Sequence, residues 1–287
     1  QAWCEAQAPL ADTVQQHTGL RLDPYFSASK LVWLLEHIPH ARELAQAGEL
    51  LFGTVDTWLT WQLTRGQRHI IDVSNASRSM LMDMHHGKWS ETLCAAWDIP
   101  MQMLPEIVPS SGELARTAAG LLAAEVPICA VLGDQQAALF GHACEQAGMA
   151  KNTYGTGCFM LLNTGDTAVQ SQQQLLSTVA WQQSGQPLQY ALEGSVFMAG
   201  AIVQWLRDNL GLIQHSGDIE ALAASVPDNG GVTLIPAFTG MGAPYWRADM
   251  RASLHGLSRG SSKAHIARAA LEAIALQVAD VLSAMQQ

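Results

Sequence analysis

Two short strings in this chain carry residue types suited to phosphoryl transfer. In the first, the apolar run Val126–Leu132 ends in Gly133-Asp134-Gln135-Gln136. A carboxylate and two amides therefore fall at the carboxyl end of an expected buried strand. The second is Asn152-Thr153-Tyr154-Gly155-Thr156-Gly157-Cys158-Phe159, a tight turn between two strand-like segments. Glycines on either side of a threonine leave backbone N–H groups open to an anion such as phosphate. An acid that can accept a hydroxyl proton, followed by a phosphate-cradling turn, points to phosphoryl transfer from a nucleotide to an alcohol. Each string alone has a plainer reading: a strand-end carboxylate serves as a turn or cap residue, and a Gly-x-Gly is often only a hairpin turn.

The surrounding elements are expected to alternate. Leu31–His37 and Ala41–Leu50 carry helical apolar spacing, Thr54–Leu63 reads as a helix, and Gly66 ends it. Ile70–Val73 is a short strand, Met84–Trp97 a turn and then a helix, and Pro100, Pro105 and Pro109 mark a loop-rich connection. After the strand Val126–Leu132, Gln135–Gln146 has helical composition and Gly148 breaks it. Strands are expected near 151–154, 158–163, 189–192 and 232–236. Ile202, Trp205, Leu206 and Leu210 fall on one face of a helix. A final helix near 264–285 is expected to bury Ile266, Ala270, Ile274, Val278 and Val281. Short strands alternating with helices define an α/β chain. The break at 141–148 divides it into segments 1–142 and 143–287.

Composition narrows the function. The 287 residues are 48% hydrophobic and 14% charged, with a formal net charge of −10. So acidic a chain suits neither nucleic acid nor anionic membrane surfaces. Its phosphate chemistry requires a local field. The five cysteines are odd in number, scattered and without a Cys-x-x-Cys pair. That pattern fits reduced thiols in a cytoplasm better than a disulfide or zinc framework. No His/Cys/Asp cluster has the spacing of a dedicated metal cage. His85-His86 reads as a solvated turn, and no apolar stretch reaches the roughly 18 residues of a membrane helix.

The two strings together, in this wording, closely resemble the glycerol-phosphorylating members of the FGGY carbohydrate kinase family. Tyr25-Phe26-Ser27-Ala28-Ser29-Lys30-Leu31-Val32-Trp33-Leu34-Leu35-Glu36-His37 looks like the first family signature. Ala252–Leu257, with His265-Ile266 and Ala269–Glu272, looks like the second. Gly53–Leu59, Ser74–Arg78, Phe197–Gly200 and Pro236–Trp246 lie between them. These resemble the glycerol-specific branch more than the kinases of xylulose, ribulose or gluconate.

The resemblance implies an actin-like ATPase (ribonuclease H-like) two-domain fold. Segment 1–142 would close the polyol-side domain, and 143–287 would open the nucleotide-side domain. It implies ATP and glycerol as substrates, with Mg2+ held mainly through nucleotide phosphates and water. Asp134 would be the general base, taking the hydroxyl proton as the oxygen bonds to phosphorus. Gln135 would hydrogen-bond a polyol hydroxyl, Tyr25 would bond another, and Phe159 would lie against the polyol carbons. Gly155, Thr156 and Gly157 would hold the β- and γ-phosphates. Gly200 and Gln204 match nucleotide-contacting positions at the start of a helix, whose N-terminus favours anions. Lys30 suggests a structural ion pair, and Gln136 reads as structural.

The chain starts at Gln1 and stops inside a helical pattern, which reads as a fragment. Family members begin with an Asp-x-Gly-Thr-x-Ser phosphate loop and carry a late Gly-Gly adenosine segment. They also hold the polyol with an Arg-Glu pair and a neighbouring Trp, expected before Gln1. None of these strings occurs here, so the 287 residues alone are expected to be inactive. Family members are commonly dimers or tetramers, which implies a cytoplasmic homo-oligomer when intact. The stretch Ala115–Glu125 lacks the Gly-rich basic segment by which some bacterial relatives bind a sugar bisphosphate inhibitor. Two rivals stay open: another FGGY kinase acting on a pentulose or tetritol, and a truncated, non-catalytic product.

Overall fold

A computed structural model describes all 287 residues. Helices α1 (Ala2–Ala6), α2 (Ala11–Thr18), α3 (Ser27–His37), α4 (Ala41–Gln46) and α5 (Val55–Leu63) precede strand β1 (Ile70–Asp72) and helix α6 (Val73–Ala76). Then come β2 (Met82–Asp83), β3 (Lys88–Trp89), α7 (Glu91–Ala96), β4 (Glu106–Val108), β5 (Ser111–Arg116), β6 (Pro127–Ala130) and α8 (Asp134–Gly141). Strands β7 (Ala150–Tyr154), β8 (Cys158–Gly165), β9 (Leu176–Trp181) and β10 (Gln189–Val196) form a sheet in the order β7–β8–β10–β9. Helices α9 (Gly200–Asp208) and α10 (Asp218–Ala224), strands β11 (Thr233–Ile235) and β12 (Ser253–His255), and helix α11 (Lys263–Met285) complete the chain.

Contacts divide the chain into two units. The first comprises Gln1–Met149, Asn163–Gln170 and Leu176–Leu192, and the second Ala150–Leu162, Ser171–Leu175 and Glu193–Gln287.

In the first unit, β1 pairs in parallel with β4, matching Asp72 to Val108. Ile71, Val73, Ala76, Met82, Met84, Val179 and Tyr190 form a core around this pair and α6. Both faces of β1 are covered, so Ile70, Ile71 and the carboxylate-bearing Asp72 are all buried, with no in–out alternation. Strand β6 departs from expectation. It pairs with β5 alone, and Pro127, Cys129 and Ala130 are exposed. Apolar composition suggested a buried strand, but burial requires a second neighbour or a covering layer. Lys30 is also corrected: its ammonium donates to the carbonyls of Pro24 and Phe26 and forms no ion pair.

In the second unit, Ile202, Leu206, Ile219, Ala223, Val232, Leu234, Ala267 and Ala270 pack into one core. Here α9 buries Ile202 and Leu206, whereas Leu210 lies beyond the helix end and is exposed. The inward face of α11 keeps Ala270 and Val281 of the expected stripe but not Ile266, Ile274 and Val278. It is made of Ala264, Ala267, Ala270, Ala273, Gln277 and Val281, with Ile266, Ile274 and Val278 half-buried at its margins. Small residues let the helix axis approach its neighbours, so size decided which face went inward. Strand β9 is wholly buried, yet Leu176–Trp181 was not anticipated. Its Ser, Thr and Ala content weakens the apolar signal.

Candidate active site

In the first unit, Asp134 is the opening residue of α8, which Gly133 enters in an extended conformation. The Asp134 side chain is exposed to solvent. Its Oδ1 accepts the Gln135 backbone N–H at 2.8 Å, and its Oδ2 accepts Gln135 Nε2 at 3.2 Å. The carboxylate thus faces outward, held by its neighbour and bare of any cation. Gln136 is buried against Gly133, where a β-carbon would lie 2.6 Å from its Oε1. A side chain at Gly133 would have to displace the Gln136 amide.

Tyr25 is 59% exposed, in the loop before α3. Its N–H donates to Asp23 Oδ1 at 2.8 Å, and its ring meets Phe26 edge-on at 5.4 Å. Phe26 is buried and carries the Arg78 guanidinium over its ring at 5.4 Å. The Lys30 ammonium, bridging two carbonyls of the loop, fixes the backbone from which Tyr25 projects. Burial lowers the Lys30 pKa, partly offset by Asp23.

In the second unit, β7 and β8 form an antiparallel hairpin whose last pair is Tyr154 with Cys158. Residues 155–157 make the turn. The Gly155 N–H donates to the Gly157 carbonyl at 2.8 Å. The turn is fastened to the head of α9: Gly200 N–H donates to the Gly155 carbonyl at 2.9 Å. Ala199 and Ala201 donate to the Thr156 carbonyl at 2.8 and 3.1 Å. The first amides of α9 are therefore spent on the turn and are not offered to an anion. A β-carbon at Gly157 would collide with the Val196 carbonyl. The N–H groups of Thr156 and Gly157 take no protein acceptor, and the Thr156 side chain is exposed. These are the donors a phosphate could use.

Phe159 is half-buried on β8 opposite Thr153, and Gln204 is exposed one turn along α9 from Gly200. The glycine-rich loop after β11 has a scaffold role. Ala243 N–H donates to the Ser195 carbonyl at 3.0 Å, and Gly242 packs on that same carbonyl. Trp246 Nε1 reaches the Gln174 carbonyl at 2.8 Å, and the Tyr245 hydroxyl donates to Asp280 at 2.8 Å. This loop holds the end of β10, which leads into α9.

The five thiols are unpaired. Burial pushes Cys158, beside the turn, up to about 11, and Cys94 up to about 12. Neither is a nucleophile near neutrality. No group of three or more His, Cys, Asp or Glu side chains could hold a metal ion. No helix is long and apolar enough to cross a membrane.

This chain belongs to the FGGY family of carbohydrate kinases: the family's N-terminal domain matches residues 2–141 and its C-terminal domain residues 150–287. Over 286 residues it is 60% identical to the glycerol kinase of Acinetobacter baylyi, covering 99% of this chain and 58% of that protein. It is 60% identical over 277 residues to the glycerol kinase of Dechloromonas aromatica, covering 96% of this chain and 55% of that one. The chain thus spans little more than half the length of the curated relatives it matches. A crystal structure of Plasmodium falciparum glycerol kinase with ADP superposes with a TM-score of 0.90 at 35% identity, over 99% of this chain and 57% of that one. A ligand-bound xylulose kinase from Lactobacillus acidophilus, 20% identical, has a TM-score of 0.82 over 98% of this chain and 56% of its own. That likeness speaks for the fold alone. The fold is the two-domain, actin-like ATPase fold of the family.

Proposed function

We propose that the protein carrying this chain transfers the γ-phosphoryl group of ATP to glycerol, giving sn-glycerol 3-phosphate and ADP. The observation that carries this reading is the 60% identity to glycerol kinases across both matched domains. The geometry is compatible with it. Asp134 presents an outward-facing carboxylate that can accept the hydroxyl proton as oxygen bonds to phosphorus. Gln135 can donate to and accept from a second hydroxyl, Tyr25 can bond a third, and Phe159 offers a face to the carbon chain.

On the nucleotide side, the amides of Thr156 and Gly157 and the Thr156 hydroxyl would hold phosphate oxygens. Gly200 would act by letting the turn seat on α9. Gln204, a turn further along, would reach the nucleotide. The donor set fits a magnesium ion carried by the nucleotide and water better than a protein cage. That ion would supply charge neutralisation on the phosphates. Cytoplasmic residence and a dimeric or tetrameric assembly belong to the same reading. The unpaired thiols and the lack of a candidate membrane helix are compatible with the location.

The test is substrate profiling of the full-length protein. ATP-dependent phosphorylation should favour glycerol over xylulose, ribulose and erythritol in kcat/KM. Preference for a pentulose or a tetritol would move the protein to another branch of the family.

A further inference from the structure

The Asp72 carboxylate, at the end of β1, is fully buried and accepts five hydrogen bonds. Oδ1 takes the Asn75 N–H (2.9 Å), Asn75 Nδ2 (2.8 Å) and the Ser74 hydroxyl (3.0 Å). Oδ2 takes the Ser74 N–H (3.0 Å) and the Ser110 hydroxyl (2.7 Å). Capping a four-residue helix accounts for the two backbone donors only. The hydroxyls reach further. A hydroxyl whose proton is committed to a carboxylate has only lone pairs left, so it acts as an acceptor. Ser74 Oγ accepts the Gly133 N–H at 2.9 Å, and Ser110 Oγ accepts the Gln182 N–H at 3.2 Å. Gly133 is the residue before Asp134, and its other face is closed by Gln136 and Asn75.

We propose that Asp72 is a positioning residue for phosphoryl transfer. Through the Ser74 hydroxyl it fixes Gly133, and so sets the backbone from which the Asp134 carboxylate projects. This rests on the reading of Asp134 as the proton acceptor. Charge-assisted hydrogen bonds are short and directional, and one buried carboxylate here aligns β1, α6 and the start of α8 together. A displacement of about 1 Å at a reacting group can cost a hundredfold in rate, so the link acts on turnover before it acts on binding.

The experiment uses the full-length kinase and compares Ser74→Ala, Ser74→Thr, Ser77→Ala and Asp134→Asn. Ser77 is the control: its buried hydroxyl, on the same turn, bonds to the Ser74 carbonyl and to Thr178, away from Gly133. Ser74→Ala should lower kcat by about tenfold or more, with the KM for ATP unchanged. Ser74→Thr, which restores the hydroxyl, should recover most of the rate. Ser77→Ala should lower the melting temperature while keeping kcat. If Ser74→Ala does not fold, Ser74→Cys, whose thiol is a poor acceptor, should show the same loss. Wild-type kcat in the Ser74 variant, or an equal loss in Ser77→Ala, overturns the proposal while an inactive Asp134→Asn leaves the base assignment standing. An active Asp134→Asn removes that assignment and this proposal with it.

Discussion

The Gly200 N–H donates to the Gly155 carbonyl at 2.9 Å, and a β-carbon at Gly200 would lie 2.6 Å from that same oxygen. Helix and turn therefore meet backbone to backbone, with no room for a side chain. Gly200→Ala should separate them, lowering stability by about 1–3 kcal/mol, as overpacking does. ADP affinity should fall as the Thr156 and Gly157 amides lose their alignment. Denaturant titration together with calorimetric ADP binding measures both. An unchanged ADP affinity would mean that the turn does not meet the nucleotide.

Thr156 and Phe159 lie on the same hairpin but should divide the ligands between them. Thr156→Ala should weaken ATP more than glycerol, since the exposed hydroxyl sits at the turn. Phe159→Ala should weaken glycerol more than ATP. Separate titrations of each ligand into each variant give the four affinities. Equal effects on both ligands would assign these residues to general stability.

The buried thiols give the chain an alkaline limit. With Cys94 raised from 9.0 to about 12 and Cys158 to about 11, the unfolded thiols ionise first as pH rises. The stability these thiols contribute is complete below pH 9 and is lost as pH climbs through the folded values. Both should resist alkylation near pH 8, whereas Cys129, exposed on β6, should react. Mass spectrometry after brief iodoacetamide treatment reads the sites. Rapid labelling of Cys158 at pH 8 would contradict its burial.

The alanine face of α11 makes a packing prediction. Ala267 is 0% exposed, so Ala267→Leu should cost about 1–3 kcal/mol. Ala279→Leu, on the exposed side, should stay within about 0.5 kcal/mol of the parent. Urea denaturation distinguishes them. Equal stability would place Ala267 outside the core.

The particular residues show where sequence was enough and where it was not. Strands β7 and β8 were legible because β-prone residues flank a Gly-x-Gly turn, a local signal. Helix α11 was legible as a helix, and Ala270 and Val281 as part of its inward face, but Ile266, Ile274 and Val278 lie only half-buried at its margins. Hydrophobicity favours Ile and Val, whereas close helix approach favours Ala264, Ala267 and Ala273. Strand β6 looked buried because its residues are apolar, and exposure depends on neighbours that the local sequence does not name. The role of Gly200 was visible only as a family match. Its physical content, the amides of Ala199, Gly200 and Ala201 spent on the turn carbonyls, needed the coordinates. Asp72 went unnoticed because its partners Ser110 and Gly133 are distant in sequence. Only the local Asp-x-Ser-Asn capping pattern could have drawn attention to it.

Asp134 carries the chemical step of the proposed reaction. In the full-length kinase, Asp134→Asn keeps the shape and the hydrogen bond from the Gln135 N–H while removing the proton acceptor. The decisive measurement is the steady-state turnover of this variant with ATP and glycerol, beside its glycerol dissociation constant. In this variant kcat should fall by about 10²–10⁴-fold while glycerol affinity stays close to the parent's. Turnover near the parent's would show that Asp134 does not take the proton, and the proposed mechanism would be wrong.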